Sequence, residues 1–178
     1  MEQNNCLGIY LSKKRATAVL LSRRGSHPEV LRCFSVQDDA DLDSNDQSRQ
    51  APSPPAQVAQ TLASERLQYG EVAVSLDCTL YTQHNLHSEF TDHKQIANTI
   101  IFDAEEALAR DATDMALTFT IASTDATGSQ TTVFAADRAV LYEMLDGLQA
   151  ANLDPTAIEP DILCLARFLD QNLARQRI

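Results

Sequence analysis

The chain has 178 residues, 44% of them apolar and 22% charged, which suits one substantial hydrophobic core or one core with an appended subdomain. Its formal charge of −11 disfavours direct contact with nucleic acid or an anionic lipid surface, since both attract clustered Lys and Arg. No apolar run approaches the ~20 residues of a membrane span, and no basic-then-apolar leader opens the chain, so neither direct membrane insertion nor a signal peptide is predicted and the expected location is cytoplasmic.

Three strands are predicted first: Cys6–Leu11, Ala16–Ser22 and Val30–Val36, all rich in β-favouring residues. The first two are almost continuously apolar, which predicts burial on both faces of a covered mixed sheet. Between the second and third, Arg23-Arg-Gly-Ser-His-Pro28 reads as a turn. From Gln37 to Ala56 the apolar pattern disappears into Asp, Ser, Gln and Pro, a composition that cannot offset its own ordering entropy; residues 37–56 are expected to be a flexible linker.

Gln57–Gln68 is predicted as a helix facing Val58, Leu62 and Leu67 inward, with Gly70 as its stop. Strands follow at Glu71–Leu76 and Thr79–Leu86. The segment from Phe90 to Leu108 has the pattern of a capped amphipathic helix: Thr91 or Asp92 can accept a free backbone N–H at its start, and Ile96, Ile100, Ala104, Ala107 and Leu108 share one face. Asp114–Ile121 alternates as a strand, Gly128 marks a loop, and Thr131–Ala136 returns. Asp137 can cap a helix over Arg138–Ala151 with Leu141, Met144, Leu145 and Leu148 as its stripe, and Asn152 is a left-handed stop. Thr156–Ile158 reads as a short strand. Pro160 then suits the first position of a last helix carrying Ile162, Leu165, Ala166, Leu169 and Leu173.

With 77–152 set aside, the order is β-β-β-α-β-(insertion)-β-α. The residues Phe90-Thr-Asp-x-Lys-x-Ile96, Ile100-x-Phe-Asp-Ala-Glu105 and Asp154-Pro-x-x-Ile-Glu-Pro-Asp161, taken in sequence, resemble the actin-like cytoplasmic proteins of bacterial type II secretion and type IV pilus machines, the GspL and PilM families. The resemblance implies an α/β, ribonuclease H-like domain of the actin-like ATPase superfamily, formed by 1–76 and 153–178, with a small α+β subdomain inserted at 77–152. It further implies a non-catalytic scaffold that contacts an inner-membrane assembly-platform protein or the secretion ATPase. Such proteins continue into a second actin-like half, so a two-lobed nucleotide cleft is not expected to be completed within these residues.

In these families a turn between the first two strands holds phosphate with an Asp and a Gly. Here the matching run is Leu7-Gly-Ile-Tyr-Leu-Ser-Lys-Lys-Arg-Ala-Thr17, with Tyr10 in place of the Asp and Ser12 in place of the Gly. Lys13 and Lys14 could still attract an anion, but three basic residues in a turn are the composition of a solvated hairpin tip. No cofactor is expected there. The same change removes the first-strand carboxylate that ribonuclease H-like nucleases need for metal.

His84, His87 and His93 with Glu89 and Asp92 have a metal-like composition, but strand positions 84 and 87 point to opposite faces, so no metal site is expected. Cys6, Cys33, Cys78 and Cys164 lack a metal-like spacing and read as structural thiols, three of them within apolar runs. Phe102 falls off its helix's apolar stripe, near Glu105 and Glu106, and these three are the candidates for a protein-binding surface.

Overall fold

The computed structural model describes residues 5–23, 28–37 and 52–176, and of 172–176 the backbone alone. The linker expected over 37–56 lies largely outside the described residues, as do residues 24–27 of the first predicted turn. The chain divides into two compact units, Met1–Cys78 with Met144–Ile178, and Thr79–Glu143.

The first unit is built on a five-stranded sheet. Its members are β1 (Asn5–Leu11), β2 (Arg15–Ser22), β3 (Glu29–Gln37), β4 (Glu71–Leu76) and β8 (Ala157–Pro160), in the order β3-β2-β1-β4-β8. β1, β2 and β3 pair antiparallel, whereas β4 and β8 join parallel to β1. Register stacks one face from matched apolar residues: Leu7 beside Leu20 and Val72, Ile9 beside Ala18 and Val74, Leu11 beside Ala16 and Leu76. All of these are buried, and the small Ala16 and Ala18 leave room for helix α1 (Pro54–Ser64), which buries Val58 and Leu62.

The opposite face is only half-buried in β1 and β2, which corrects the expectation of two covered faces. Alternation, and not continuous apolarity, is what the pairing obeys: Gly8, Tyr10, Thr17 and Val19 turn away from the packed side.

Helix α1 begins at Pro54, three residues earlier than the periodicity predicts. Ser53 is its N-cap and prolines fill the first turn, where their missing N–H costs no hydrogen bond. It also ends earlier, because Arg66, not Gly70, takes the left-handed conformation (φ 53°); Leu67 stays half-buried and returns its N–H to Leu62.

The second unit carries the sheet β5-β7-β6, from β5 (Tyr81–Ser88), β6 (Met115–Asp125) and β7 (Gly128–Asp137), all antiparallel. Helix α2 (His93–Leu108) packs Ile96, Ile100 and Ala104 against Val133, with Leu86, Leu117, Phe119 and Ile121 around them. Of the two predicted caps, Asp92 is the one used: its carboxylate accepts the N–H groups of Lys94 and Gln95 at 3.1 Å. Ala107 is exposed, so the inward face is narrower than predicted.

The division between the units falls within helix α3 (Arg138–Ala150). Asp137 accepts the N–H groups of Ala139 and Val140, and those bonds, with the Arg110 guanidinium at 2.9 Å, hold its carboxyl below the usual range. Asn152 closes the helix at φ 57°, as its residue type predicts. Within the predicted stripe only Leu148 is fully buried.

Pro160 ends β8 opposite Leu76 instead of opening a helix, and α4 (Asp161–Gln176) starts one residue later. β8 lies at the sheet's edge, where a strand residue without an N–H is tolerated. Among the described residues no helix is long and apolar enough to cross a membrane.

Candidate functional site

The C-terminal ends of the three parallel strands β1, β4 and β8 converge, and each delivers a side chain there: Tyr10, Asp77 and Asp161. The Tyr10 hydroxyl donates to the Asp77 carboxylate. That bond, followed by partial burial and the negative charges of Asp77 and Asp161, pushes the phenol up to about 12. Asp161 accepts the Cys78 N–H at 3.2 Å and the Ile162 N–H at 2.8 Å, sitting at the favourable end of the α4 dipole.

The β1–β2 turn is closed by its own groups. The Ser12 N–H donates to the Arg15 carbonyl at 2.9 Å, while the Ser12 hydroxyl accepts the Arg15 N–H at 3.1 Å. A phosphate-binding turn aims such N–H groups at its anion; here they are taken within the turn. Lys13, Lys14 and Arg15 are exposed, and the Arg15 guanidinium stands 6.0 Å from the Tyr10 ring centre.

A cavity of about 440 Å³ opens on the half-covered face of the five-stranded sheet. Its floor is made of Gly8, Val19, Ala73 and Ala157, small enough to leave the space open. Tyr10, Glu159, Cys164 and Arg167 stand at its margins, the last pairing with Glu159.

Phe102 is 65% exposed on α2, with Glu106 also exposed. Glu105 is half-buried, and its carboxylate accepts the Ala112 N–H at 3.4 Å. The histidines do not gather: His87 meets Gln130 at 3.1 Å, while His93 stacks on Phe119 with 4.9 Å between ring centres. Among the described residues no group of three or more His, Cys, Asp or Glu could hold a metal ion. The thiols are less buried than their apolar surroundings predict. Cys33 lies exposed on the outermost strand and Cys78 is exposed in the turn after β4.

Sequence reasoning missed two features. Asp77 was not singled out, although a carboxylate directly after a parallel strand is placed at a sheet's binding end. Nor does the spacing of Ile162, Leu165 and Leu169 on α4 say where they face: these three and Phe168 are 44–64% exposed. The helix instead turns Leu163 and Cys164 inward, both half-buried.

Three antiparallel strands followed by two parallel ones, with a small α+β unit inserted before the last, define a ribonuclease H-like, actin-like fold. The chain belongs to the family of type II secretion system protein L, whose sequence model matches residues 44–176. Several solved structures share the fold, two of them as follows. One is the cytoplasmic domain of EpsL, an inner membrane component of the type II secretion system of Vibrio cholerae, at 20% identity and a TM-score of 0.61, covering 89% of this chain and 58% of that one. The other is the PilM-PilN type IV pilus biogenesis complex, at 18% identity and a TM-score of 0.65, covering 87% of this chain and 47% of the other. The chain thus spans about half the length of these relatives. No curated protein matches it.

Proposed function

We propose that the chain is a non-catalytic scaffold of a type II secretion or type IV pilus assembly platform, with residues 77–152 as its inserted subdomain. It acts by protein–protein contact at the cytoplasmic face of the inner membrane. The observation that carries this reading is the β1–β2 turn, where the Ser12 N–H donates to the Arg15 carbonyl, the Arg15 N–H donates to the Ser12 hydroxyl, and Tyr10 is tied to Asp77. Tyr10 and Ser12, which replace the family's Asp and Gly, are thus engaged by the chain's own groups. Membership of the secretion protein L family points to an inner-membrane platform protein or the secretion ATPase as partner, with exposed Phe102 and Glu106 as candidate contacts and Glu105 beside them.

Two measurements test the proposal. Mg-ATP should leave the melting temperature unchanged, whereas ligand at 100 times its dissociation constant would add about 2.7 kcal/mol. A saturable shift would favour the alternative, an actin-like ATP-binding module whose second half lies outside these residues. Phe102→Ala should weaken capture of the purified platform partner by at least ~2 kcal/mol, the usual cost of truncating an interface anchor. Because Phe102 is 65% exposed, its melting temperature should stay near that of the parent chain. Unchanged capture by a folded variant would remove Phe102 from the contact surface.

A further inference from the structure

The two edges of the second unit's sheet differ in kind. β5 presents Gln83, His84, Asn85 and His87. β6 carries no charge from Met115 to Thr124 and no proline, and among the described residues no strand pairs with its outer side. Edge strands are normally blunted by charge, Pro, bulges or brevity. Here the only such device is the bulge at Ala122, where the pairing with β7 steps from Ile121 to Ser123; the stretch from Met115 to Ile121 runs in regular register.

That stretch reads almost the same in both directions: Ala116-Leu-Thr-Phe-Thr-Ile-Ala122. We infer that β6 is a self-pairing edge, at which a second copy of this chain adds its own β6 antiparallel about a two-fold axis through Phe119. In that register Leu117 faces Ile121 of the second copy and Thr118 faces Thr120, all within the regular stretch. Leu117, Phe119 and Ile121 are half-buried on the α2 side, so the added strand covers their remaining exposure. Thr118 and Thr120 are exposed on the other side and meet as Thr–Thr pairs, a favourable cross-strand combination.

Parity of the register is fixed by pattern, since a slip by one residue would set Thr against Phe. The regular stretch from Met115 to Ile121 carries no charged residue, so no carboxylates are opposed within it. A strand from an unrelated protein could use the same backbone edge, but the near-palindrome gains nothing from it; the second copy is the occupant that the sequence matches. The formal charge of −11 on each copy opposes approach at long range, so association should tighten as salt screens it.

The test exploits the symmetry. Sedimentation across a concentration series should show the full chain in monomer–dimer equilibrium. The double variant T118K/T120K places like charges opposite each other at both Thr pairs and should raise the dissociation constant by ~10-fold or more. The double variant T118K/T120E carries substitutions at the same two positions but opposes lysine to glutamate in both pairs, and should retain the dimer. All changes fall on exposed side chains, and circular dichroism with thermal melts verifies folding. A parent chain that stays monomeric throughout the series overturns the proposal, as does a dimer that T118K/T120K and T118K/T120E weaken equally or not at all.

Discussion

Replacing Ile96 with alanine is expected to destabilise the second unit by about 2–5 kcal/mol, the range for a buried aliphatic truncated to leave a cavity. Ile96 is fully buried and belongs to the cluster that joins α2 to the sheet through Ile100, Ala104 and Val133. Of its buried neighbours, Ala104 is small and Val133 is β-branched and fixed in the central strand, so refilling the space falls to Ile100 and the half-buried Leu86 and Leu117. Chemical denaturation followed by far-ultraviolet dichroism measures the loss directly. A cost below about 1 kcal/mol would mean that α2 closes the gap by shifting on the sheet. The double truncation of Ile96 and Ile100 should then be less than additive, because neighbours share one cavity.

Gly128→Ala is the second change with a large expected effect, and it works through backbone and not packing. Gly128 opens β7 directly opposite Asp125, at φ 135°, where L side chains are strained. A Cβ built there would lie 2.1 Å from the Ser88 carbonyl oxygen and 3.1 Å from the Glu89 Cα, so the end of β5 must move. The dihedral alone is worth about 1–3 kcal/mol, and displacing the β5–β7 ladder adds to it. The Asx turn beside it is intact in the parent: Asp125 accepts the N–H and hydroxyl of Thr127, and these bonds hold its carboxyl below the ordinary range. Amide exchange should therefore show lost protection at Ser88 and Ser129 in the variant. A variant that melts like the parent would show that the turn has a second accessible conformation.

Much of the fold was legible because local rules and packing agree. The Asp92 cap, the Asn152 stop and the Ile96–Ile100–Ala104 stripe each follow from chemistry within a few residues, and each stands where predicted. Errors came where a local signal was outweighed by its surroundings. Gly70 looked like a helix stop, but Arg66 took the left-handed position because Leu67 had to turn back and return its N–H to Leu62. Pro160 looked like a helix start, but the parallel ladder with β4 claimed it. For α4 the direction of Ile162, Leu165 and Leu169 was not legible: hydrophobic spacing says which residues share a face, while only the three-dimensional arrangement says which way that face turns. The candidate site was half legible. The substitutions at Tyr10 and Ser12 are visible in sequence, whereas the convergence of Asp77 and Asp161 on Tyr10 depends on strands far apart in the chain.

The parallel pairing of β4 with β8 also bears on how the chain reaches its native state. Both the N–H and the hydroxyl of Thr156 donate to the Val72 carbonyl, a contact across 84 positions of sequence. Contacts of such separation slow folding, because chain ends must meet before any bond repays the lost freedom. Here the intervening residues collapse into a unit of their own, Thr79–Glu143, which shortens the loose chain that remains to be closed. On the ribosome, β1 to β4 and α1 emerge first and can assemble as an incomplete sheet whose β4 edge stays open until β8 appears. The last strand is thus a latch that closes only after the inserted unit has been made, and a chain stalled before residue 157 would carry an unpaired edge into the crowded cell.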